Sequence, residues 1–200
     1  MKQHTEVQVR PGTEADLTAL TALYNHYVRE TSITFDITPF TPEERLPWLR
    51  SHPEDGPHRL LVARDTGYER TEAQVSRESR ESSSTRENPA DGWGGLLGYV
   101  TSSPLRPKAA YDTSIEVSVY CAPEAAGRGI GTLLYKSLFE ALADEDLHRA
   151  YAVITQPNEA SERLHARFGF RRIGTYTEAG RKFDRYWDVT WFEKKLGPDA

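Results

Sequence analysis

Residues 123–138 read PEAAGRGIGTLLYKSL, with Gly127, Gly129 and Gly131 at alternate positions and an apolar run of helical spacing directly after them. The first backbone N–H groups of a helix have no internal partners and carry the positive end of its dipole, so they suit phosphate oxygens. Glycine lets that backbone approach a ligand closely, because no Cβ intervenes. Arg128 adds a cation. The stretch suits a pyrophosphate, although a tight strand-to-helix turn would use the same glycines for shape alone. No Gly-Lys-Ser/Thr follows, so it is not a P-loop, and its glycine spacing departs from the dinucleotide fingerprint.

Glu116 is the second candidate, inside the segment SIEVSVYC at 114–121. A carboxylate within an apolar run needs a reason, and a carboxylate beside a reacting amine can accept its proton. Strand alternation puts Ile115, Val117 and Val119 on one face. Glu116 shares the other with Ser118 and Tyr120, and that face borders either a cleft or solvent. Cys121, the one cysteine, has no internal disulfide partner and reads as a buried strand residue rather than a nucleophile.

Elements must hold these residues in place. Alternation and apolar runs predict strands at 6–10, 59–64, shortly after Trp93, 114–121, 149–155, 170–177 and 185–194. A helix is expected from Thr13, whose capping box uses Asp16, to Glu30, along Leu17, Leu20, Leu23, Tyr24, Tyr27 and Val28. Thr41-Pro42-Glu43-Glu44 opens a second, short helix, which Pro47 would kink or delay. Further helices are expected from Gly129 to about Ala143 and from Asn158, an N-cap, to Phe168, stopped by Gly169. The order is β-α-α-β-β-β-α-β-α-β-β, an α/β chain with a mixed sheet flanked by helices. Residues 66–91 are rich in Ser, Thr, Glu and Arg and poor in large apolar residues. They read as a flexible insertion within a hairpin, in a single domain spanning 1–196.

The chain has 200 residues, 38% hydrophobic and 28% charged, with a net charge of −5. Mixed charge without basic excess argues against a nucleic-acid surface. No apolar run nears the roughly 18 residues of a membrane helix, and the segment MKQHTEVQVRPG lacks an apolar signal core. A cytoplasmic protein with neither nucleic-acid nor membrane partners is expected.

Several motifs in order resemble the GNAT N-acetyltransferases, and within them the phosphinothricin (bialaphos) acetyltransferase-like branch. These are Ile115-Glu116 with Val119-Tyr120-Cys121, then Arg128-Gly129-Ile130-Gly131, then Asn158, Ser161, Leu164, His165, Gly169 and Phe170. NHYVRETSITFD, TPEERLPWL and GRKFDRYWDVTWFEKKL look like the branch's first helices and last hairpin. The resemblance implies a GNAT fold and acetyl-CoA as acetyl donor. It implies that the pyrophosphate lies on the backbone from Gly127 to Thr132, including Arg128, Gly129, Ile130 and Gly131. It also implies a pantetheine arm along Val119, Tyr120 and Cys121 and against Asn158, with an oxyanion donor at the N–H of Val119 or Tyr120.

By the same resemblance Glu116 is the general base, Glu30 a second carboxylate, and His165 a candidate to protonate the departing thiolate. The acid group of the substrate would meet Arg106, Lys108 and Tyr111. The chain departs from the branch in carrying Ala126 for Gln or Arg, Leu105 for tryptophan and Lys108 for arginine, and its glutamate at 30 falls one residue late. The implied activity is direct transfer of acetyl to the amino group of a small amino acid or analogue, by a homodimer. A protein or peptide N-acetyltransferase and a non-catalytic acyl-CoA-binding module are the alternatives.

Overall fold

The computed structural model describes residues 6–68 and 93–197, so the insertion expected at 66–91 lies almost wholly outside the described residues. In chain order the elements are β1 (Val7–Pro11), α1 (Leu17–Glu30), α2 (Pro42–Arg50), β2 (Leu60–Asp65), β3 (Leu96–Pro104) and β4 (Ser114–Cys121). These are followed by α3 (Ile130–Ala141), β5 (Arg149–Thr155), α4 (Glu159–Arg167), β6 (Arg171–Lys182) and β7 (Arg185–Lys195). The order is the one the sequence predicts. The seven strands form one sheet, β1-β2-β3-β4-β5-β7-β6. Only β4 and β5 run parallel, and every other neighbouring pair is antiparallel. Among the described residues no helix is long and apolar enough to cross a membrane.

Side-chain alternation assigns the helices to faces. Tyr99 of β3 opposes Tyr120 of β4, and the two rings stack with centroids 5.3 Å apart. Tyr24 and Tyr27 of α1 set their edges against Tyr120, and Trp48 of α2 sets its edge against Tyr99, so α1 and α2 lie on this face. Gly98, one residue from Tyr99 and so on the opposite face, lies under Leu134 of α3. There Leu134, Tyr135 and Leu138 are fully buried, and α4 joins them through His165 and Tyr135. The apolar stripe Leu20, Leu23 and Val28 of α1 is equally buried.

Both N-terminal cap signals are present. The Thr41 Oγ accepts the Glu44 N–H at 3.3 Å, and the Glu44 carboxylate accepts the Thr41 N–H at 2.7 Å. Pro47 lies inside α2 without ending it. Asp16 accepts the Thr13 N–H at 2.9 Å, as its capping role predicts. It does more: at 1% exposure it also accepts from Arg10 at 2.7 and 2.9 Å and from Arg64 at 3.0 Å. One carboxylate thus ties β1, β2 and the start of α1 together. Burial alone would raise its pKa, but the Arg10 and Thr13 hydrogen bonds outweigh that and hold it below the ordinary value.

The last hairpin is longer than the expected strand at 170–177. β6 runs to Lys182, with a break in register between Tyr176 and Gly180 and Glu178 in the left-handed region at φ 53°. The Glu-Ala-Gly stretch looks like a stop in sequence but is accommodated as a bulge. Beyond it the strand grips the segment after α1. A Cβ at Gly180 would sit 2.1 Å from the Phe35 ring, and the Lys182 Nζ donates to the Thr34 carbonyl at 2.8 Å.

Asp16→Asn removes the buried charge that two half-buried guanidinium groups share, and should cost about 3 kcal/mol of unfolding free energy at pH 7. Because the folded pKa of Asp16 is lowered, its contribution is present above the ordinary aspartate value and is lost as pH falls through the lower folded one. Denaturant titrations of both proteins should therefore converge in strong acid. A constant gap from pH 7 down to pH 2 would rule out this role.

Candidate active site

The parallel pairing of β4 with β5 lasts three residues, from Ser114↔Arg149 to Glu116↔Tyr151. Beyond Glu116 the strands part, and no described residue of β5 pairs with Val117–Cys121. The gap is a groove walled by Val117–Tyr120 on one side and by Val153–Thr155, Asn158, Ser161 and His165 on the other. β4 leads out of the groove into the glycine turn. Gly127 and Gly129 are left-handed, at φ 74° and 78°, with nothing within 4 Å of where a Cβ would stand. Gly129 caps α3 with no side chain to serve the first helical N–H groups.

Gly131 has a different task. A Cβ there would meet Leu164 at 3.0 Å, so it allows α3 and α4 to approach. Ile130 is buried, while Thr132 accepts from the Arg167 guanidinium at 3.1 Å. Arg128 is exposed beside the turn. A groove with unpaired strand backbone, ending in an open cradle of helical N–H groups, fits the long, amide-bearing, diphosphate-terminated acetyl-CoA molecule. The residues that would hold it are Val119 and Tyr120 along the arm and Gly127–Gly129 at the diphosphate. The Cys121 carbonyl already accepts from the Tyr27 hydroxyl at 2.6 Å, which fixes the strand to α1.

On the other side of Ser118 and Tyr120 lies a cavity of about 250 Å³, under α1 and α2. That is the volume of about eight water molecules. Tyr24, Arg45, Trp48, Tyr99 and Ser103 border it, with Asp36 and Phe40 from the segment after α1. Ser118 and Tyr120 border both cavity and groove, so the two spaces share a wall. Ser103 directly opposes Glu116 across the β3–β4 ladder, which puts Glu116 on the cavity face. The cleft rather than the solvent reading of that face is the one observed.

Glu116 is half-buried and makes no ion pair or hydrogen bond among the described residues. Burial raises its pKa, and the charge of Arg106 opposes the rise only in part. His165 borders the groove at 3% exposure, but both ring nitrogens are engaged. Nδ1 lies 2.7 Å from the Ser161 carbonyl, which can only accept, so Nδ1 carries the proton. Nε2 then accepts from the Tyr135 hydroxyl at 2.7 Å. Burial lowers the His165 pKa and keeps the ring neutral. Asn158 is the N-cap of α4, its Oδ1 accepting the Ser161 N–H at 3.1 Å, and it also borders the groove.

The remaining candidates are dispersed. Glu30 is exposed at the end of α1 and borders neither space. Lys108 and Tyr111 are exposed on the connection before β4. Arg106 is exposed too, with its guanidinium 5.4 Å from the Trp191 ring centroid, yet near enough for its charge to act on Glu116. The sequence reading missed the cavity's own lining. Tyr24 stands in the sequence as one residue of the helical apolar stripe of α1, and Arg45 is given no role there. The available signal was Arg45-x-x-Trp48, a spacing that puts both on one face of α2.

Residues 20–170 match the family described as Acetyltransferase (GNAT) family. The chain is 64% identical over 191 residues to a phosphinothricin N-acetyltransferase of Streptomyces coelicolor, covering 96% of this chain and 97% of that one. It is 29% identical over 190 residues, 95% of each chain, to an L-methionine sulfoximine/L-methionine sulfone acetyltransferase of Pseudomonas paraeruginosa. A GNAT superfamily phosphinothricin acetyltransferase from Sinorhizobium meliloti, solved in complex with AcCoA, superposes with a TM-score of 0.74 at 26% identity, covering 96% of this chain and 89% of that one.

The two kinds of glycine should separate by experiment. Gly129→Ala forces a side chain into the left-handed region, which costs roughly 1–2 kcal/mol and displaces the cradle. Acetyl-CoA affinity by titration calorimetry should fall about tenfold, by the 1.4 kcal/mol per decade of binding. Gly131→Ala should lower the melting temperature instead, with affinity within about threefold of the parent. Unchanged acetyl-CoA affinity in Gly129→Ala would remove the turn from the binding site.

Proposed function

The chain belongs to the acetyltransferase (GNAT) family and is an acetyl-CoA-dependent N-acetyltransferase, and from that premise we propose that its acceptor is the α-amino group of a small amino acid of the phosphinothricin or methionine sulfoximine type. The observation that carries this reading is the shared wall of Ser118 and Tyr120 between a small cavity and a long groove, with Glu116 on the same face two residues away.

Bound acetyl-CoA supplies an acetyl group already activated as a thioester. The other requirements fall to the chain. An amino acid arrives as a zwitterion whose ammonium has no lone pair, and in this reading Glu116 takes that proton, directly or through a water. Its burial supports the role: a carboxylate whose pKa is raised by burial is a stronger base than one in water. Ser103 and Ser118, on either side of it, offer hydroxyls to orient the amine, and of the two candidate donors the N–H of Val119, which points away from β3, would face the reacting carbonyl. Arg106 stands near Glu116 and suits the α-carboxylate, while Lys108 and Tyr111, exposed on the same connection, take a lesser part. His165, with both nitrogens engaged, shapes the groove rather than moving a proton, and Glu30 takes no part.

A small cavity roofed by α2 favours an amino acid over a peptide strand. An unpaired carboxylate beside it favours an enzyme over a module that only binds acyl-CoA. A homodimer in the cytoplasm, with one domain over 1–196, completes the reading on resemblance to the branch.

Glu116→Gln should lower kcat/KM by roughly 10²–10⁴ with acetyl-CoA affinity unchanged. In the parent, protonated Glu116 cannot accept the amine proton, so activity is lost as pH falls through its pKa. That acid limb should lie above 4.5, the ordinary glutamate value. Thiol release with phosphinothricin and methionine sulfoximine as acceptors measures both. A Glu116→Gln enzyme with parental turnover would end Glu116's assignment as base.

A further inference from the structure

The cavity is bordered by a buried cation that forms no ion pair among the described residues. Arg45 is 6% exposed, and its guanidinium carbon lies 4.1 Å from the ring centroid of Tyr24 and 4.0 Å from that of Trp48. Both rings lie against the guanidinium, whose five N–H donors point outward in its own plane. The Nε is buried and has no hydrogen-bond partner, and Arg45 forms no ion pair among the described residues. The Tyr99 hydroxyl feels the Arg45 charge but carries none of its own to balance it. The two carboxylates that border the same cavity are occupied elsewhere. Asp36 accepts from the Tyr24 hydroxyl, and Glu44 accepts the Thr41 N–H at 2.7 Å.

A buried cation without a partner is costly unless a ligand completes it. A guanidinium edge matches two oxygens of one oxoacid group in a bidentate pair. Position decides which group that is. The Tyr99–Tyr120 pair, against which Arg45 packs through Tyr24 and Trp48, lies four residues along the ladder from the Ser103–Glu116 pair. The amine must meet the carbonyl at Val119 while passing its proton toward Glu116, so the α-carboxylate on the neighbouring carbon falls on the side of Glu116 and Arg106. Only the far end of the acceptor's side chain extends toward Arg45.

We propose that Arg45, held against the rings of Tyr24 and Trp48, recognises the phosphinate, or an equivalent tetrahedral oxoacid group, at the end of the acceptor's side chain. The assignment rests on the acceptor class proposed above. It makes Arg45 a specificity-determining residue, removed from the reacting atoms.

The test compares the parent, Arg45→Gln and Arg45→Lys with L-phosphinothricin and with L-methionine, which offers no side-chain oxygens. The ratio of kcat/KM for phosphinothricin to that for methionine should fall at least 30-fold in Arg45→Gln, mainly through KM, and recover in part in Arg45→Lys. Acetyl-CoA affinity and the melting curve check that each variant is folded. A ratio unchanged in Arg45→Gln overturns the assignment, as does an equal loss on both acceptors. Calorimetric binding of phosphinothricin separates the two ideas. If the parent binds it through Arg45 but acetylates neither acceptor, the acceptor reading fails and the Arg45 assignment stands. If the parent does not bind it, both fail.

Discussion

A parallel strand pair three residues long is the feature on which the rest depends. Adjacent strands in a sheet satisfy each other's backbone groups, so parting them exposes polar backbone that needs another partner. Here β4 keeps β3 as a neighbour along its whole length and loses β5 after Glu116. The free edge of β4 is thereby both the cost of the split and the means of binding. A ligand carrying amides can take the place of the missing strand. The divergence also leaves Glu116 at the last paired position, where a carboxylate is partly desolvated without being sealed in the core.

Other elements serve to hold that opening in shape. Tyr27 fixes the end of β4 from one face by its bond to the Cys121 carbonyl. On the other face the Tyr135–His165–Ser161 chain ties α4 to α3 beside the groove. The segment after α1 roofs the cavity without regular structure of its own, and its anchors come from far along the chain. Asn25 bonds both the N–H and the carbonyl of Phe40, Lys182 bonds the Thr34 carbonyl, and Phe35 lies on Gly180. This gives the long β6–β7 hairpin a purpose at the site: its far end is the clamp on the roof.

How much of this was legible follows from the range of the interactions. Element order, both cap signals, the bounds of β4 and the Asn158 cap depend on residues a few positions apart, and all can be read from the sequence. The left-handed glycines and the position of Glu116 are local too, although the face that Glu116 occupies became a cleft only through α1 and α2. The cavity was not legible, because Tyr24, Arg45, Tyr99 and Tyr120 come from four elements and each has an ordinary local explanation. The length of β6 was obscured by a bulge, which in sequence has the same residues as a turn. Lys108 and Tyr111 were chosen by position in a family pattern, and they stand in solvent.

Partner accounting sorts the buried ionisable groups into two kinds. Asp16 has two guanidinium groups and a backbone N–H, and it serves the fold. His165 has an acceptor for its proton and a donor for its lone pair, and its neutral ring packs against Tyr135 and Phe170. Glu116 and Arg45 are half or fully buried, neither forms an ion pair among the described residues, and both lie on the cavity face of the sheet. A chain folded only for stability would have matched or removed them, since each alone lowers the stability of the empty protein. They are of opposite sign and separated along the ladder. The acceptor that satisfies both carries a cationic amine at one end and an oxoacid at the other, and the folding free energy forgone at these two residues is recovered when such a molecule binds.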